Sequence, residues 1–299
     1  MRTLVIGAGQ VGPHVATQLA ERGDHVVVGT RSGSGPEHPL ITRTHLDATD
    51  AAALERAFAD VDVVHLCVHA SAYRPDAWER ELPPLEHAVL TAAERQGVHV
   101  VYPESVYAFD TSGTLGADLR VAPRSHLGRI RADLLARRAA SSARTTSVVA
   151  SDFYGPGASL AHGGDRMVGP ATTGRTVRPL GRTDLPHAWT YLPDLAAAMV
   201  AAADAPDGPE VVLAPVVHAS QRELALAGRD EVRVRAVPVW ALRAVGVLSA
   251  DVRAMAAMTY LCSEPLLVDE AATILPATPL DVAAATVVDL TRRDVVAGR

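Results

Sequence analysis

The chain has 299 residues, 48% of them hydrophobic, which is enough to bury a large globular core. Its formal net charge is −6, so it lacks the basic surface that nucleic-acid binding needs, and we expect no nucleic-acid partner. The sequence contains no lysine, and all 28 basic side chains are arginine. Its two cysteines cannot form a disulfide framework and favour a reducing compartment.

Two features of the apolar pattern bear on localisation. The longest apolar run, near Leu195–Ala203, is far shorter than the roughly 20 residues that span a bilayer. The first strand begins near Thr3, which leaves no room for a signal peptide. We therefore expect a cytoplasmic protein with no membrane partner.

The first half alternates short apolar strands with helical patterns. Strands are predicted at Leu4–Ile6, His25–Val28, Val61–Val68, Val98–Tyr102 and Thr145–Ala150. A further strand, the third in chain order, is predicted to end near Leu46. Helices are predicted over Val11–Leu19, over Ala51–Ala59, through Trp78 to Gln96, and over Leu127–Ala140. This alternation predicts an α/β fold with a doubly wound parallel Rossmann sheet.

After Ser151 the pattern changes. Glycine and proline cluster between Gly155 and Pro186, and a helix at Leu192–Ala205 and a strand at Glu210–Ala214 follow. We predict a Rossmann domain over residues 1–155, with a return segment at about 187–215. Residues 156–299 are predicted to form a smaller mixed C-terminal lobe that binds substrate.

A glycine motif lies between the first strand and the first helix. It reads Gly7-Ala8-Gly9-Gln10-Val11-Gly12. Gly7 allows the tight turn, Gly9 lets a pyrophosphate approach the backbone, and Gly12 lets the helix pack on the strand. In this context the segment Gly7–Gly12, including Gln10 and Val11, predicts a dinucleotide site; the alternative is a turn that binds nothing.

The end of the second strand indicates which dinucleotide is bound. An NAD site usually has an acidic residue here, whereas this chain has Gly29-Thr30-Arg31-Ser32. A guanidinium matches a 2′-phosphate, so Arg31 predicts NADP, with a solvated arginine as the alternative. Asp47, at the end of the third strand, is expected to meet the adenine; the alternative is an N-cap for the helix at Ala51.

Histidines and arginine pairs offer weaker signals. His65, Cys67 and His69 share one face of a strand, but the two histidines would stand roughly 13 Å apart, so we predict no metal site. The backbone of Val68-His69-Ala70 is instead expected to pass the cofactor ribose. The pair Arg137-Arg138 is interpreted as a solvated helix face.

The chain resembles extended and atypical short-chain dehydrogenases of the NAD-dependent epimerase/dehydratase family. The motifs that carry the resemblance are the glycine motif, Asp47-Ala48, Val61–Val68, Val100–Ser105, Asp152–Gly157 and His187–Asp194. It implies cofactor contacts by Ala48, Ser151 and Phe153. It also implies a homodimer formed through the two helices that flank the fourth and fifth strands.

The family's chemistry uses a Ser or Thr, a Tyr, and a Lys four residues after the Tyr. Ser105 falls where the family has its Ser or Thr, but the best match to the Tyr–Lys pair is Leu127 and Arg131. Leucine transfers no proton, and arginine can bind a ribose but cannot act as a base. The chain looks closest to atypical members with a Gly-x-x-Arg pattern, here Gly128 to Arg131.

Tyr107 is the first candidate to replace the missing tyrosine. It would share a face with Ser105 if the strand continues, and the charge of Arg131 would favour the tyrosinate. The alternative is a packing role for the ring. His126 and His187 are further candidates, because histidine titrates near neutral pH.

These residues predict an NADP-dependent oxidoreductase that acts on a small organic carbonyl, imine or activated alkene. Tyr107, Ser105 and Arg131 are the candidate catalytic residues. One alternative is an epimerase, isomerase or dehydratase that recycles its bound cofactor. Another is a non-catalytic dinucleotide sensor, which is consistent with Leu127 at the position of the tyrosine.

Overall fold

The computed structural model describes residues 1–205, 207–227, 229 and 231–287, so residues 288–299 of the predicted substrate lobe lie outside the described residues. The chain forms two compact units. The first unit comprises Met1–Phe109, Val121–Val149 and Leu195–Leu213. The second comprises Asp110–Arg120, Ala150–Asp194 and the chain from Ala214 onward.

Strands and helices alternate along the first half of the chain, as the apolar pattern predicts. In chain order they are β1 Thr3–Ile6, α1 Gly12–Glu21, β2 Val26–Thr30, β3 Ile41–His45, α2 Ala51–Phe58, β4 Val63–Leu66, α3 Pro75–Gln96, β5 His99–Ser105, β6 Thr114–Leu115, α4 His126–Ala140 and β7 Thr145–Ala150. The second half continues with β8 Asp152–Tyr154, α5 Gly169–Thr172, β9 His187–Tyr191, α6 Leu192–Asp204, β10 Val211–Leu213, β11 Val217–Ala219, α7 Gln221–Leu226, α8 Val239–Gly246, α9 Ala250–Ala257 and β12 Leu267–Val268.

The first unit is built on a seven-stranded sheet in the order β3-β2-β1-β4-β5-β7-β10. β1 pairs in parallel with both β2 and β4, and β7 pairs in parallel with β10. Every residue of β1 and β4 is buried, as expected for strands covered on both faces. The predicted doubly wound parallel sheet is confirmed, and its strand order reverses between β1 and β4, where such sheets bind ligands.

The second unit contains two small sheets. β9 lies between β8, which it pairs in parallel, and β11, which it pairs antiparallel, while β6 pairs with β12. Trp189 of β9 is fully buried, and its indole nitrogen donates to the Ala219 carbonyl at 2.9 Å. The predicted smaller mixed part of the fold is confirmed.

Two local features differ from the sequence prediction. β5 continues to Ser105, three residues beyond the predicted end, and Val106–Ala108 then form a 3-10 turn. Strand alternation therefore does not extend to Tyr107.

Among the helices that the structure describes, none combines the length and apolar content needed to cross a bilayer.

Candidate active site

The turn after β1 depends on two of its glycines. Gly7 has φ +100°, and a Cβ there would lie 2.7 Å from the Cys67 carbonyl oxygen. A Cβ at Gly12 would overlap the Gly7 carbonyl oxygen. Both positions therefore need glycine so that β1, β4 and α1 can approach one another closely.

Gly9 is different, because no atom lies within 4 Å of the position a Cβ would take. α1 begins beside it with Val11 as N-cap, and no side chain caps its first amides. Gln10 lies between the two, half-buried. An open space next to an uncapped helix N-terminus is a cradle that a diphosphate fits.

The loop after β2 is rich in hydroxyls and carries one exposed cation. Arg31 directly follows Thr30, the last residue of β2, and is exposed. The Ser32 and Ser34 hydroxyls are 2.7 Å apart, and Thr30 Oγ1 donates to the Ser34 carbonyl at 2.9 Å. This loop therefore offers one positive charge and several hydroxyl donors.

Asp47 lies after β3 and is not a helix cap. Its Oδ1 accepts from the Thr49 amide at 2.9 Å and the Thr49 hydroxyl at 2.7 Å, and these hydrogen bonds lower the Asp47 pKa. The alternative N-cap role is wrong, because Asp50 Oδ1 accepts from the first amides of α2, at Ala52 and Ala53. Ala48 is buried.

The segment Val68–Ala70 follows β4 at the switch point of the sheet. Val68 lies beside Gly7, where its Cγ2 is 3.1 Å from a Cβ placed on the glycine. His69 directs Nδ1 to the Ala70 carbonyl at 3.2 Å and packs its ring edge-on against Trp78 at 4.8 Å. Desolvation, and then the charge of Arg131, lower the pKa of His69 to about 4.

His65 and Cys67 lie at and just after the end of β4, and His69 follows two residues later. Burial lowers the pKa of His65 to about 3 and raises that of Cys67 to about 12. Within the described ranges, no group of three or more His, Cys, Asp or Glu side chains is arranged to hold a metal ion.

Ser105 and Tyr107 lie where β5 ends. The Ser105 amide donates to Glu104 Oε1 at 2.8 Å, while the buried Ser105 Oγ has no hydrogen-bond partner among the described residues. The Tyr107 hydroxyl accepts from the hydroxyl of Tyr73 at 3.2 Å. Gly128 of α4 packs on the Tyr107 carbonyl so closely that a Cβ there would overlap it.

Arg131 lies on α4 and contacts Glu104 and Trp78, which in turn contact Ser105 and Tyr73. Its guanidinium stacks over the Trp78 ring at 4.8 Å, and its Nε is 3.5 Å from Glu104 Oε1. Trp78 also contacts Tyr73, with ring centroids 5.7 Å apart. Leu127, which the sequence predicts at the position of the family's tyrosine, is 2% exposed and belongs to the core.

A buried ionic network lies beside Ser105 and Arg131, and it was not predicted from the sequence. Arg138 donates to both carboxylate oxygens of Glu86, at 2.8 and 2.6 Å. It also donates to Glu104 Oε2 at 2.8 Å and to Ser147 Oγ at 3.0 Å. The interpretation of Arg138 as solvated is wrong, because its side chain is 2% exposed. We call Glu86, Glu104, Arg131 and Arg138 the Arg138 cluster.

The two histidine candidates lie elsewhere. His126 is exposed at the start of α4, with Nε2 2.7 Å from Glu79 Oε1. His187 is buried in the second unit, where Nε2 is 3.0 Å from Asp152 Oδ2 and Nδ1 is 3.2 Å from the Leu261 carbonyl. Both ring nitrogens of His187 are therefore engaged.

Ser151 and Phe153 also belong to the second unit. The Ser151 hydroxyl donates to the Ala188 carbonyl at 2.6 Å, and its amide donates to Thr190 Oγ1 at 3.0 Å. Phe153 pairs with Thr190 across β8 and β9. Their contact with a cofactor stays a prediction.

Comparison with known proteins shows which family the chain matches. The model of the NAD dependent epimerase/dehydratase family matches residues 3–214. An L-threonine dehydrogenase from Cupriavidus necator, in its holo form, has a TM-score of 0.75 and 19% identity, over 97% of this chain and 100% of that one. UDP-glucose 4-epimerase of Thermus thermophilus, in complex with NAD, has a TM-score of 0.72 and 17% identity, over 98% and 99%.

A curated relative matches over a shorter stretch. The formate-dependent phosphoribosylglycinamide formyltransferase of Burkholderia lata is 32% identical over 126 residues. The match covers 37% of this chain and only 31% of that protein, so it shows no shared activity. The family match, in contrast, covers most of the chain and both strands of the switch point. The chain belongs to the NAD-dependent epimerase/dehydratase family.

Proposed function

We propose that the chain is an NADP-dependent oxidoreductase that acts on a small organic carbonyl, imine or activated alkene. The observation that carries the proposal is the open cradle at Gly9, beside the uncapped start of α1. Structures similar in fold include a threonine dehydrogenase and epimerases in complex with NAD. A bound nicotinamide dinucleotide would supply or accept a hydride.

The chain's own residues fit such a cofactor along one edge of the sheet. The turn Gly7–Gly12 would hold the pyrophosphate, and Asp47 and Ala48 would meet the adenine. Arg31, with the hydroxyls of Ser32 and Ser34, would bind the 2′-phosphate that distinguishes NADP. Val68, His69 and Ala70 would contact a ribose through the backbone, and Ser151 and Phe153 are proposed as further contacts.

We assign proton transfer to the hydrogen-bonded hydroxyl groups of Tyr107 and Tyr73. As the hydride reaches the substrate, Tyr107 would give its hydroxyl proton to the substrate oxygen or nitrogen, and Tyr73, 36% exposed, would resupply Tyr107 from solvent through the 3.2 Å hydrogen bond that it donates. The positive charge of the Arg131 guanidinium would favour the tyrosinate, and a guanidinium does not act as a base. The Ser105 Oγ is buried and has no partner among the described residues, so it would orient a substrate oxygen only after its side chain turns outward.

Calorimetry with NADPH and NADH tests the cofactor assignment. Replacing Arg31 with alanine should weaken NADPH at least tenfold, because a hydrogen bond to a charged group contributes about 1.5–3 kcal/mol. NADH should bind almost as before. Arg43→Ala, an exposed arginine of β3, is the matched control. Equal weakening of both dinucleotides would refute the 2′-phosphate role of Arg31.

The cradle itself can be tested by filling it. A Cβ added at Gly9 would meet no protein atom within 4 Å, so the Gly9→Val variant should retain the fold. The same side chain would occupy the space proposed for the pyrophosphate, and binding of both dinucleotides should be lost. An unchanged melting temperature is the control. No heat from any dinucleotide with the wild-type protein would end the proposal.

Leu127 favours one second candidate, a dinucleotide sensor without catalysis, since its buried side chain transfers no proton. NADPH oxidation with a panel of small ketones, aldehydes and imines separates the two. Tyr107→Phe should lower turnover at least a hundredfold without weakening NADPH, whereas His126→Gln should change neither. Binding with no turnover of any compound supports the sensor. Nucleotide that copurifies and is recycled supports an epimerase.

A further inference from the structure

The loop between β4 and α3 carries Tyr73, and it is hydrogen-bonded to a carboxylate of α3. We call residues 69–74 the Tyr73 loop. Ser71 of this loop donates twice to Glu81, from its amide to Oε2 at 2.7 Å and from its hydroxyl to Oε1 at 2.7 Å. Glu81 is the seventh residue of α3, so the loop folds back along roughly the first 9 Å of the helix.

Glu81 meets Ser71 as a charged acceptor. The hydrogen bonds from Ser71 lower the pKa of Glu81 to about 2, so the carboxylate is ionised at neutral pH. Arg80 donates from Nη2 to Glu81 Oε1 at 2.9 Å and stabilises the same charge. Hydrogen bonds to an ionised group are shorter and stronger than neutral ones, so this pair of bonds can hold a loop at the surface.

Burial does little to fix the Tyr73 loop, since none of residues 69–74 is fully buried. Segments with few buried contacts open easily unless hydrogen bonds hold them. Tyr73 is two residues from Ser71, a reach of at most about 7 Å. Its ring packs edge-on against Trp78, and its hydroxyl donates to Tyr107. Fixing Ser71 therefore limits where the Tyr73 hydroxyl can lie.

We propose that Glu81 is a positioning residue that holds the Tyr73 loop where the Tyr73 hydroxyl resupplies Tyr107 with protons. This inference rests on the proposed function. In each reduction Tyr107 gives one proton to the substrate, Tyr73 then gives its own hydroxyl proton to Tyr107, and water returns one proton to Tyr73. Glu81 touches neither substrate nor cofactor in this sequence of steps, and it acts through Ser71.

Glu94 offers a matched control on the same helix. Its Oε1 accepts from the Ser141 hydroxyl at 2.7 Å and from the Ser142 amide at 3.1 Å, just after α4. These hydrogen bonds lower the pKa of Glu94 as well. Both acids therefore bind loop serines through an ionised carboxylate, but only Glu81 binds the loop that carries Tyr73.

Steady-state oxidation of NADPH by the full chain tests the proposal. Glu81→Ala should lower kcat at least about tenfold with little change in KM, because a misplacement of about 1 Å can cost a hundredfold in rate. The solvent deuterium isotope effect on kcat should rise, since proton resupply through a displaced Tyr73 becomes the slow step. Glu81→Gln keeps an acceptor for the Ser71 amide and a donor for its hydroxyl, so kcat should stay within about threefold of wild type. Glu94→Ala should change neither kcat nor the isotope effect.

Hydrogen–deuterium exchange gives a measurement that needs no turnover. Glu81→Ala should speed exchange of the Ser71 amide at least about tenfold, and Glu94→Ala should do the same at Ser142, with neither variant affecting the other loop. If the wild-type protein binds NADPH but turns over no compound, the proposed function fails, and the exchange rates alone decide whether Glu81 holds the loop.

Three results would overturn the role of Glu81. The first is equal exchange of the Ser71 amide in Glu81→Ala and wild type, which would show that the carboxylate does not hold the loop. The second is a loss of turnover in Glu81→Ala no larger than in Glu94→Ala. The third is an equal loss in Glu81→Gln and Glu81→Ala, because the charge of Glu81 and not its hold on Ser71 would then matter.

Discussion

Both units bury a polar cluster, but the two clusters respond differently to protons. In the first unit, Arg138 bridges Glu86 and Glu104. In the second, His187 pairs with Asp152 at 3.0 Å, and His162 lies 2.6 Å from Gln221. Desolvation acts to lower the pKa of Arg138, but the charges of Glu86 and Glu104 outweigh it and the pKa is raised. Arg138 therefore stays charged.

The second cluster is built on groups that titrate in acid. Desolvation lowers the pKa of His162, which therefore stays neutral in the folded chain. Burial acts to raise the pKa of Asp152, yet its contacts with His187 outweigh burial and the pKa is lowered. The polar cluster of the first unit therefore contains a side chain that stays charged, Arg138. The polar cluster of the second unit contains a histidine with a lowered pKa, His162.

The largest expected effect comes from breaking the Arg138 cluster. Arg138→Met leaves Glu86 and Glu104 buried without their common partner, and the free energy of unfolding should fall by about 3–5 kcal/mol. Urea denaturation at neutral pH measures the change. Arg137→Met, exposed on the same helix, should stay within about 0.5 kcal/mol of wild type. Equal effects of both substitutions would show that the buried ion pairs of Arg138 do not stabilise the fold.

Removing the carboxylate of the second cluster should have a smaller effect. Asp152→Asn deprives buried His187 of a charged partner, at a cost of about 2 kcal/mol in unfolding free energy. Because the pKa of Asp152 is lowered in the folded chain, this contribution is complete above the ordinary aspartate value of 3.8. It should disappear only as pH falls below that value, which denaturation at several pH values can check. A loss that already shrinks near neutral pH would contradict the assignment.

The free energy of unfolding should fall in acid because both units bury histidines that are neutral in the folded chain. Burial lowers the pKa of His65 on β4 from 6.5 to about 3, so its contribution to stability is complete above 6.5 and declines as pH falls towards 3. Between neutrality and about pH 5 this decline amounts to about 2 kcal/mol.

Two variants separate the histidines. His65→Leu should remove that loss of stability, and it also removes two buried ring nitrogens that have no partner among the described residues. His162→Gln should reduce the acid sensitivity further, by an amount that depends on the second unit. Guanidinium denaturation at several pH values gives both slopes. An unchanged slope in His65→Leu would mean that this histidine is protonated in the folded chain.

The smallest effect should come from Arg131. Its Nε is 3.5 Å from Glu104, which keeps Arg138 as a closer partner, so the substitution mainly removes the stacking on Trp78. Arg131→Met should lower the unfolding free energy by about 1 kcal/mol, and Arg129→Met, exposed on the same helix, by less. If Arg131→Met lowered the unfolding free energy as much as Arg138→Met, Arg131 would stabilise the fold as strongly as Arg138 does.

The sequence predicted most buried strands of the first unit because they are short apolar or β-branched runs. Thr145–Ala150 is predicted and observed with the same bounds. The glycine turn was also predictable, since Gly7 and Gly12 leave no room for a side chain. Both features leave a local pattern, an apolar run or closely spaced glycines, which a single sequence records.

Features that depend on distant contacts were less predictable. Tyr73 comes from the loop before α3, and no local pattern indicates its hydrogen bond with Tyr107. The burial of Arg138 could have been anticipated, because it follows Leu127 and Leu134 on one face of α4, at a spacing of eleven and four residues. Its partner Glu104 gave a similar signal as an acid within a buried strand.

The buried Leu127 has a consequence for engineering. Its side chain is 2% exposed, and the adjacent Gly128 abuts the Tyr107 carbonyl. A phenol grafted at position 127 would need new volume and a hydrogen-bond acceptor in a region that is now filled by hydrocarbon. Placing a proton-transferring tyrosine at this position is therefore a problem of redesigning several packed neighbours together, and one codon change cannot achieve it.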